Sequence, residues 1–268
     1  MAGSAPDRVG SKSVLERVFA LLDSFTPEEP ELTLAELASR TGIPKSTVHR
    51  LAKLLVEQRL LKRTAAGFSL GLRLFELGEL VGDRRELRDV SLPVLQELFE
   101  QTHEVIHLGA LEGTEVLYFL KIVGYKVFPL PTRAGGRWPV HASALGKVLL
   151  AFGAADPQSI LAASGMKPLT PYTIVDPRRL LQQLTVVRSE GVAFEHQESV
   201  LGNSCVAAPV FGTARHPVAA VSLSGPPLRL RPTQRAPLVR RAADEISRKL
   251  NARRQPGRVA RQSPGINF

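Results

Sequence analysis

The sequence has one cysteine and no long apolar run among its 268 residues. A single cysteine excludes a framework of intramolecular disulfides and provides no cysteine-based zinc site. No apolar stretch reaches the roughly 18–20 residues that a membrane-spanning helix needs, and the N-terminal residues MAGSAPDRVGSKS lack the apolar core of a signal peptide. These absences predict a cytoplasmic protein without a membrane partner. The length allows two domains.

Acidic residues are missing from one basic segment and scarce in another, and the net charge of the chain is +10. From residue 248 to the C-terminus, six arginines and lysines occur with no acid. Because this part is also rich in Gly and Pro and cannot build a core, we predict a disordered tail over residues 252–268. Between residues 40 and 63, seven arginines and lysines accompany one acid, Glu57. That local excess favours phosphate binding.

Residues 33–63, TLAELASRTGIPKSTVHRLAKLLVEQRLLKR, predict a helix, a tight turn and a second helix. Thr33 and Glu36 have the spacing of a capping box at the start of the first helix. Gly42 closes that helix, because the residue past a helix end often needs a positive φ. Pro44 fits the first turn of the second helix, over 44–58. The apolar residues of that helix recur at helical spacing and predict its buried face: Val48, Leu51 and Leu55.

The other side of the second helix is predicted to contact DNA. A major groove about 12 Å wide admits one α-helix, and the N-terminal residues of a recognition helix usually meet the bases. The predicted DNA-binding residues are Lys45, Ser46, Thr47, His49, Arg50 and Lys53. Residues 60–64 and 68–72, separated by 65–67, predict a hairpin that forms a wing. The alternative left open is an ordinary helical hairpin with a solvated charged face.

The chain divides into five predicted parts: a disordered N-terminus over 1–12, a winged domain over 13–72, a connecting helix over 73–85, a second domain over 86–251 and the tail over 252–268. The first helix of the winged domain is predicted over 13–24, and its inward residues are Val14, Leu15, Val18, Leu21 and Leu22. The apolar residues predicted on the connecting helix, which exceed what a lone helix needs, are Leu74, Leu77, Leu80 and Val81. They are candidates for packing against a second subunit.

The second domain is predicted to be α+β with an antiparallel sheet, because its strands come as hairpins more than as βαβ units. The predicted strands are 104–111, 115–123, 126–130, 204–211 and 217–224. The predicted helices are 86–102, 142–152, one from Asp176-Pro177 to Gly191, and 236–250. A loop is predicted over 131–139.

Three features of this domain suggest a binding site. The helix expected from residue 142 follows a loop, and its first N–H groups can hold a carboxylate or phosphate. Ser222 and Ser224 share one face of a strand, where they meet either solvent or a polar pocket. Cys205 is either a small buried residue or a nucleophile.

An enzyme is a weaker interpretation of the same residues. Cys205 paired with His141 or His196 would suit nucleophilic chemistry, but no nucleophile elbow GxSxG occurs. The spacing of the possible ligands His141, Glu195, His196 and Cys205 matches no recognised metal site. We therefore predict no enzyme activity, no metal and no cofactor.

Taken together, these segments resemble the IclR family of bacterial transcriptional regulators, over about residues 13 to 250. The resemblance is carried by GIPKSTVHRLAKLL and FSLGLRLFELG, then by RWPVHASALGKVLLA, GVAFEHQESVLGNSCVAAPVF and AAVSLSGP, in that order. It implies a winged helix-turn-helix joined by a helix to a GAF-like effector domain. It also implies dimers or pairs of dimers that bind palindromic operators, with small organic acids or aromatic compounds as frequent effectors.

By position, the resemblance implies an effector pocket formed by Ala144, Leu145, Glu195, Cys205, Ser222 and Ser224. The chain departs from the family pattern at three positions, where Glu195 often is Asp, Gln197 often is acidic and Asn203 often is apolar. The effector class therefore cannot be copied from relatives. We predict a DNA-binding regulator that senses an organic or aromatic acid. The alternatives are a winged module that contacts protein or RNA, a second domain that serves only oligomerisation, and a hydrolase that uses Cys205.

Overall fold

The computed structural model describes residues 13–124, 128–214 and 216–253, apart from the side chain of Asp83. The chain forms two compact units, one ending at Gly82 and the other beginning at Asp83. Within the described ranges, no helix is long and apolar enough to cross a membrane. The predicted disordered N-terminus, 1–12, and residues 254–268 of the predicted tail lie outside the described residues.

The first unit contains four helices and a small antiparallel sheet of order β1-β3-β2 among its described residues. Its elements are α1 (Val14–Leu22), β1 (Glu31–Leu32), α2 (Leu34–Thr41), α3 (Lys45–Glu57), β2 (Leu61–Arg63), β3 (Phe68–Leu70) and α4 (Arg73–Glu79). The predicted hairpin over residues 60–72 is confirmed as β2 and β3. Strand β1, which pairs with β3, was not predicted because two residues are too few to show an alternation.

Local signals position α2 and α3 as predicted. The Thr33 side chain accepts from the backbone N–H of Glu36, and the Glu36 side chain accepts from the backbone N–H of Thr33. Gly42 has φ 67° and caps α2, as expected for a left-handed residue. Pro44 is the N-cap of α3 rather than part of its first turn. The helix-turn-helix is therefore confirmed, with its second helix beginning at Lys45.

The core of the first unit lies between α1, α2, α3 and the sheet. The predicted inner face of α3 is confirmed, and Ala52 is also buried there. The prediction for α1 is partly wrong, because Val14 and Leu15 are 59% and 65% exposed. Only Leu21 of α1 is fully buried, since the apolar stripe continues one turn beyond the surface on which the helix packs.

A single connecting helix over 73–85 is also a wrong prediction. Helix α4 ends at Glu79, and the next helix begins at Gly82. No residue of α4 is buried, and the residues after it are exposed as well. The hydrophobic spacing continues through residues 80–81, so it does not indicate that the helix is broken there.

The second unit contains the remaining elements of the described chain. Its helices are α5 (Gly82–Thr102), a short 3-10 helix (Val140–Ala142), α6 (Ala144–Phe152), α7 (Pro157–Ser164), α8 (Pro177–Glu190), α9 (Pro227–Leu230) and α10 (Pro232–Arg253). Its strands are β4 (Val105–Glu112), β5 (Glu115–Ile122), β6 (Arg137–Pro139), β7 (Ala193–His196), β8 (Ser204–Phe211) and β9 (Pro217–Gly225).

Several boundaries differ from the prediction. Residues 128–130 of the predicted third strand form no strand, and residues 126–127 lie outside the described part of the chain. The second neighbour of β5, besides β4, is β6, which lies within the predicted loop over 131–139. Helix α6 begins at Ala144 rather than near residue 142. Helix α7 was missed, although Asp156-Pro157 carries the same capping signal as the start of α8. Helix α10 extends through Arg253, past the predicted domain end at 251.

The strands form one sheet of order β6-β5-β4-β9-β8-β7, antiparallel at every pair. Helices α5 and α10 pack on one face, and α6 and α8 pack on the other. Alternation along β9 sends Val221 and Leu223 to the α5/α10 face and Ala220 to the α6/α8 face. The predicted α+β class with an antiparallel sheet is confirmed. The face covered by α6 also carries Ser222 and Ser224.

Candidate functional site

Helix α3 presents its predicted DNA-facing residues to solvent. Lys45, Ser46, His49, Arg50 and Lys53 are exposed, and Thr47 is half-buried. The opposite face anchors the helix in the core of the first unit through Val48 and its apolar neighbours. No acid lies in the first turn, and Pro44 makes no side-chain cap. The start of α3 therefore combines the positive end of the helix dipole with the cationic side chains of Lys45 and Arg50. This combination suits contact with the phosphate backbone or the base edges of a nucleic acid.

The cations around α3 do not all have the same role. Lys62 and Arg63 are exposed on β2 of the wing. Arg40 instead lies 2.5 Å from Glu29 and donates to the carbonyl of Ser24, so it holds α2 to the preceding loop. The basic character of residues 40–63 is thus partly structural.

The second unit contains a cavity between the sheet and the start of α6. The space between atoms, including its open mouth, measures about 360 Å³. All six residues of the predicted effector pocket line it: Ala144, Leu145, Glu195, Cys205, Ser222 and Ser224. Cross-strand register brings the strand residues together, since Cys205 is opposite both Glu195 and Ser224.

The floor of the cavity is polar. Ser222 and Ser224 are 1% and 3% exposed, so the strand face that was open to either interpretation points into the protein. The Ser224 hydroxyl donates to Cys205 Sγ over 3.1 Å. The Ser222 hydroxyl is buried and meets no partner at hydrogen-bond distance, although it lies close enough to the Cys205 thiol to lower the pKa of that thiol. Because a buried hydroxyl without a partner is costly, this group is available to a ligand.

The start of α6 forms one wall. The Ser143 hydroxyl accepts from the N–H of Gly146 over 3.0 Å, which occupies one of the free N–H groups of the first turn. The earlier residues Ala144 and Leu145 line the cavity. Gly146 is required here because a Cβ would lie 1.9 Å from the Val140 carbonyl oxygen. The 3-10 helix therefore packs directly against the first turn and sets its direction.

Glu195 is both a lining residue and an anchor for the loop over 197–203. Its Oε1 accepts from the backbone N–H groups of Glu198 and Ser199, at 2.5 and 3.0 Å. Its Oε2 has a long contact of 3.4 Å from the Asn203 amide. Burial raises the pKa of Glu195 to about 7, against the opposing effect of these N–H donors. Only Oε2 has room for a further partner.

A lysine lies next to the cavity without lining it. Lys147 is fully buried, and its Nζ lies 2.5 Å from Glu198 Oε1 and 3.2 Å from the Phe194 carbonyl oxygen. Burial lowers the pKa of Lys147, and the adjacent Glu198 opposes that shift. No sequence pattern predicts this pair, because its members are far apart along the chain.

Sequence reasoning missed the aromatic wall of the cavity. His107, Tyr118, Thr132 and Trp138 line it, and the rings of His107 and Tyr118 lie 4.8 Å apart. His107 Nε2 lies 2.8 Å from the Thr132 hydroxyl, and burial lowers the pKa of His107 to about 3. Strand alternation was the available signal, but it cannot tell which strands become neighbours.

The residues considered for catalysis do not form the suggested pairs. His141 Nε2 lies 3.0 Å from the Lys167 carbonyl oxygen, and His196 is exposed beside the ring of Phe194. Burial raises the pKa of the Cys205 thiol to about 12, which keeps it protonated at neutral pH. Among the residues that the structure describes, no group of three His, Cys, Asp or Glu side chains could hold a metal ion.

Both units match described protein families. Residues 14–65 match the IclR helix-turn-helix domain, and residues 80–248 match the bacterial transcriptional regulator IclR C-terminal family. The HTH-type transcriptional regulator KipR of Bacillus subtilis is 34% identical over 245 residues, which cover 90% of this chain and 97% of KipR. The transcriptional repressor IclR of Escherichia coli is 29% identical over 246 residues, covering 89% of this chain and 90% of that protein.

A solved structure gives the same result. An IclR homologue from Microbacterium hydrocarbonoxydans, complexed with 4-hydroxybenzoate, aligns with a TM-score of 0.82 and 29% identity. The alignment covers 90% of this chain and 100% of the homologue. The chain therefore belongs to the IclR family and is a DNA-binding transcriptional regulator.

Proposed function

We propose that this regulator binds a palindromic operator through α3 and the wing, and that the cavity of its second unit binds an organic acid that controls DNA affinity. The DNA-facing residues are Lys45, Ser46, Thr47, His49, Arg50 and Lys53. Their exposure on one side of a helix whose other side is anchored supports this assignment. As a regulator that acts on chromosomal operators, the protein works in the cytoplasm.

The observation that carries the effector proposal is the buried, unpartnered hydroxyl of Ser222 beside the start of α6. A carboxylate buried in a protein is costly unless several donors meet it. Ser222 and the first N–H groups of α6 supply such donors, and Ser224 adds another when its O–H turns from Cys205 Sγ to the ligand. Tyr118 and Trp138 give the cavity an aromatic wall on which a flat ring can pack, and the Microbacterium hydrocarbonoxydans homologue is complexed with 4-hydroxybenzoate, an aromatic acid.

The surface of the first unit supports a homodimer or a pair of dimers. Its exposed apolar side chains include Val14, Leu15, Phe19, Phe75, Leu77, Leu80 and Val81. An exposed apolar surface of this kind favours association. Two winged modules held together read the two halves of a palindrome, whereas one module has only a small interface.

A thermal-shift screen of benzoate, 4-hydroxybenzoate and small aliphatic carboxylates tests the effector proposal. Binding stabilises the folded state by roughly 2.7 kcal/mol at a hundredfold excess over Kd. We expect a hit whose shift is lost in the Ser222→Ala/Ser224→Ala double variant. A hit with an undiminished shift in that variant would mean that the acid binds elsewhere, and the absence of any hit would favour a second unit that serves only oligomerisation.

A further inference from the structure

The described lining of the cavity contains a carboxylate but no cationic side chain. Among the described residues that line it, Glu195 is the acid and there is no lysine or arginine. The buried cation Lys147 is already paired with Glu198. The half-buried Lys121, opposite His107 on β5, donates to the carbonyl oxygens of the lining residues Leu130 and Thr132. An organic acid that binds here, as the proposed function requires, brings a second negative charge next to Glu195, and no cationic side chain among the described lining residues meets it.

Seven titratable groups lie around Glu195 and the cavity on the packed elements. They are Lys147 on α6, Glu198 in the 197–203 loop, Cys205 on β8, Tyr118 and Lys121 on β5, His107 on β4 and His141 in the 3-10 helix. Burial keeps the Cys205 thiol and the Tyr118 phenol protonated, because it raises both pKa values. Burial lowers the pKa of both histidines, so His107 and His141 are neutral at and above neutral pH. Lys147 is paired with Glu198, and Lys121 is not among the groups that shift the pKa of Glu195, so neither lysine offsets a second carboxylate beside Glu195.

Protonation of Glu195 can remove the repulsion between its own carboxylate and that of the ligand. Its Oε1 is held by two backbone N–H groups, while Oε2 has only the long contact with Asn203. We propose that an organic acid binds in this cavity together with one proton, which Glu195 takes from solvent on Oε2 and then donates as a hydrogen bond to the bound carboxylate. The proton returns to solvent when the acid leaves.

Protonation of Glu195 removes the repulsion between its carboxylate and that of the ligand, and it supplies a third side-chain donor to the ligand. Two carboxylates that share one site cannot both be ionised at low cost, so one of them holds a proton. Protonated Glu195 adds its O–H to the hydroxyl of Ser222 and to that of Ser224, which turns from Cys205 Sγ to the ligand, while Oε1 still accepts from the loop. Because burial raises the pKa of Glu195 to about 7, taking up this proton requires little free energy near neutral pH.

The proposal is tested by the pH dependence of binding. The acids named above are screened by thermal shift at about pH 6 and about pH 8.5, where the carboxyl groups of the ligands stay ionised. For the best hit, calorimetry then gives Kd across this range. We expect the affinity of the unmodified protein to fall about tenfold per pH unit above about pH 7, with one proton taken up per acid bound. Heats measured in two buffers of different ionisation enthalpy report that proton directly.

The matched variant is Glu195→Gln, which keeps an oxygen for the loop N–H groups and a permanent donor for the ligand. We expect this variant to bind with no pH dependence and more tightly than the unmodified protein at about pH 8.5, by tenfold or more. Benzoate is the preferred probe because it has no other titrating group in this range.

The outcomes separate this inference from the proposed function on which it rests. Acid binding of equal affinity at both pH values, without proton uptake, overturns the inference and leaves the effector proposal standing. The same pH slope in Glu195→Gln as in the unmodified protein also overturns it. If no acid binds even at about pH 6, where Glu195 is protonated, both proposals fail. The pH slope and the buffer-dependent heat need no variant, so the test does not depend on Glu195→Gln folding normally.

Discussion

Lys147 Nζ lies 2.5 Å from Glu198 Oε1, and both side chains are buried beneath the cavity of the second unit. The pair joins α6 to the loop over 197–203, which Glu195 holds from the other side. Two consequences follow. The lysine is not available to neutralise a ligand, and the loop that carries the lining residues Ser199 and Asn203 is held near its start by two charged side chains.

Removing one member of this pair should be strongly destabilising. We expect Glu198→Gln to lower the free energy of unfolding by about 3 kcal/mol or more, because it leaves the Lys147 charge buried and unpaired. The matched control is Glu245→Gln, which breaks the exposed pair with Lys249 on α10 and should cost under about 0.5 kcal/mol. Urea denaturation of the two variants measures both values. Equal losses would contradict the importance assigned to the buried pair.

DNA binding should depend on the exposed side of α3. We expect Lys45→Ala and Arg50→Ala each to weaken operator binding by about 1–3 kcal/mol if the side chain contacts a base, and to leave folding intact. A phosphate contact would instead weaken all sequences similarly and reduce the salt dependence. Gel-shift titrations measure this, with Arg179→Ala, an exposed arginine on α8, as the control. Unchanged binding in both α3 variants would reject α3 as the recognition helix.

Gly146 should be intolerant of even a methyl group. An alanine Cβ there meets the backbone oxygen of Val140 at 1.9 Å, and a backbone atom cannot rotate away as a side chain does. We expect Gly146→Ala to destabilise the second unit by about 2 kcal/mol or more. Gly78→Ala in α4, where a Cβ meets nothing within 4 Å, should be stabilising by about 0.5–1 kcal/mol. Thermal unfolding monitored by circular dichroism separates the two.

The stability of the ligand-free protein should fall as pH rises through the titration of Glu195. Burial raises the pKa of Glu195 from 4.5 to about 7, so the folded state holds this proton more tightly than the unfolded chain. The resulting stability is fully present below pH 4.5 and is lost as pH rises to about 7. We expect Glu195→Gln to remove about 3 kcal/mol of this pH dependence. Urea denaturation at several pH values gives the comparison, and parallel curves for the two proteins would contradict it.

Association should depend on the apolar surface after the wing. Phe75 and Leu80 are 65% and 78% exposed, so a charge at either position is compatible with the fold of the first unit. We expect the Phe75→Asp/Leu80→Asp variant to be monomeric at micromolar concentration, where the unmodified protein is a dimer or larger. Light scattering coupled to size-exclusion chromatography measures this. The control is Leu228→Asp, which changes a 91% exposed leucine on α9 and should leave the oligomer intact.

Much of the first unit was predictable because its signals are local. The capping box of Thr33 and Glu36, the left-handed Gly42 and the inner face of α3 each depend on successive contacts between residues no more than four positions apart along the chain. The wrong predictions concern which part of a helix is covered by the rest of the fold. Val14 and Leu15 continue the apolar stripe of α1, and the helix itself is confirmed. The spacing of that stripe does not show where the core ends, and both side chains are exposed.

In the second unit, the sequence alone determined the alternation that puts Ser222 and Ser224 on one strand face, and the resemblance to a family pointed to the residues around Glu195. Only the tertiary structure decided that this face is buried, that His107 lies opposite Ser222, and that Lys147 is held by Glu198 and so leaves the cavity without a cation. The physical reason is the range of the interactions. Helix caps and strand alternation arise between neighbours in the chain, whereas strand order, burial and the pairing of charges arise between segments that meet only after folding.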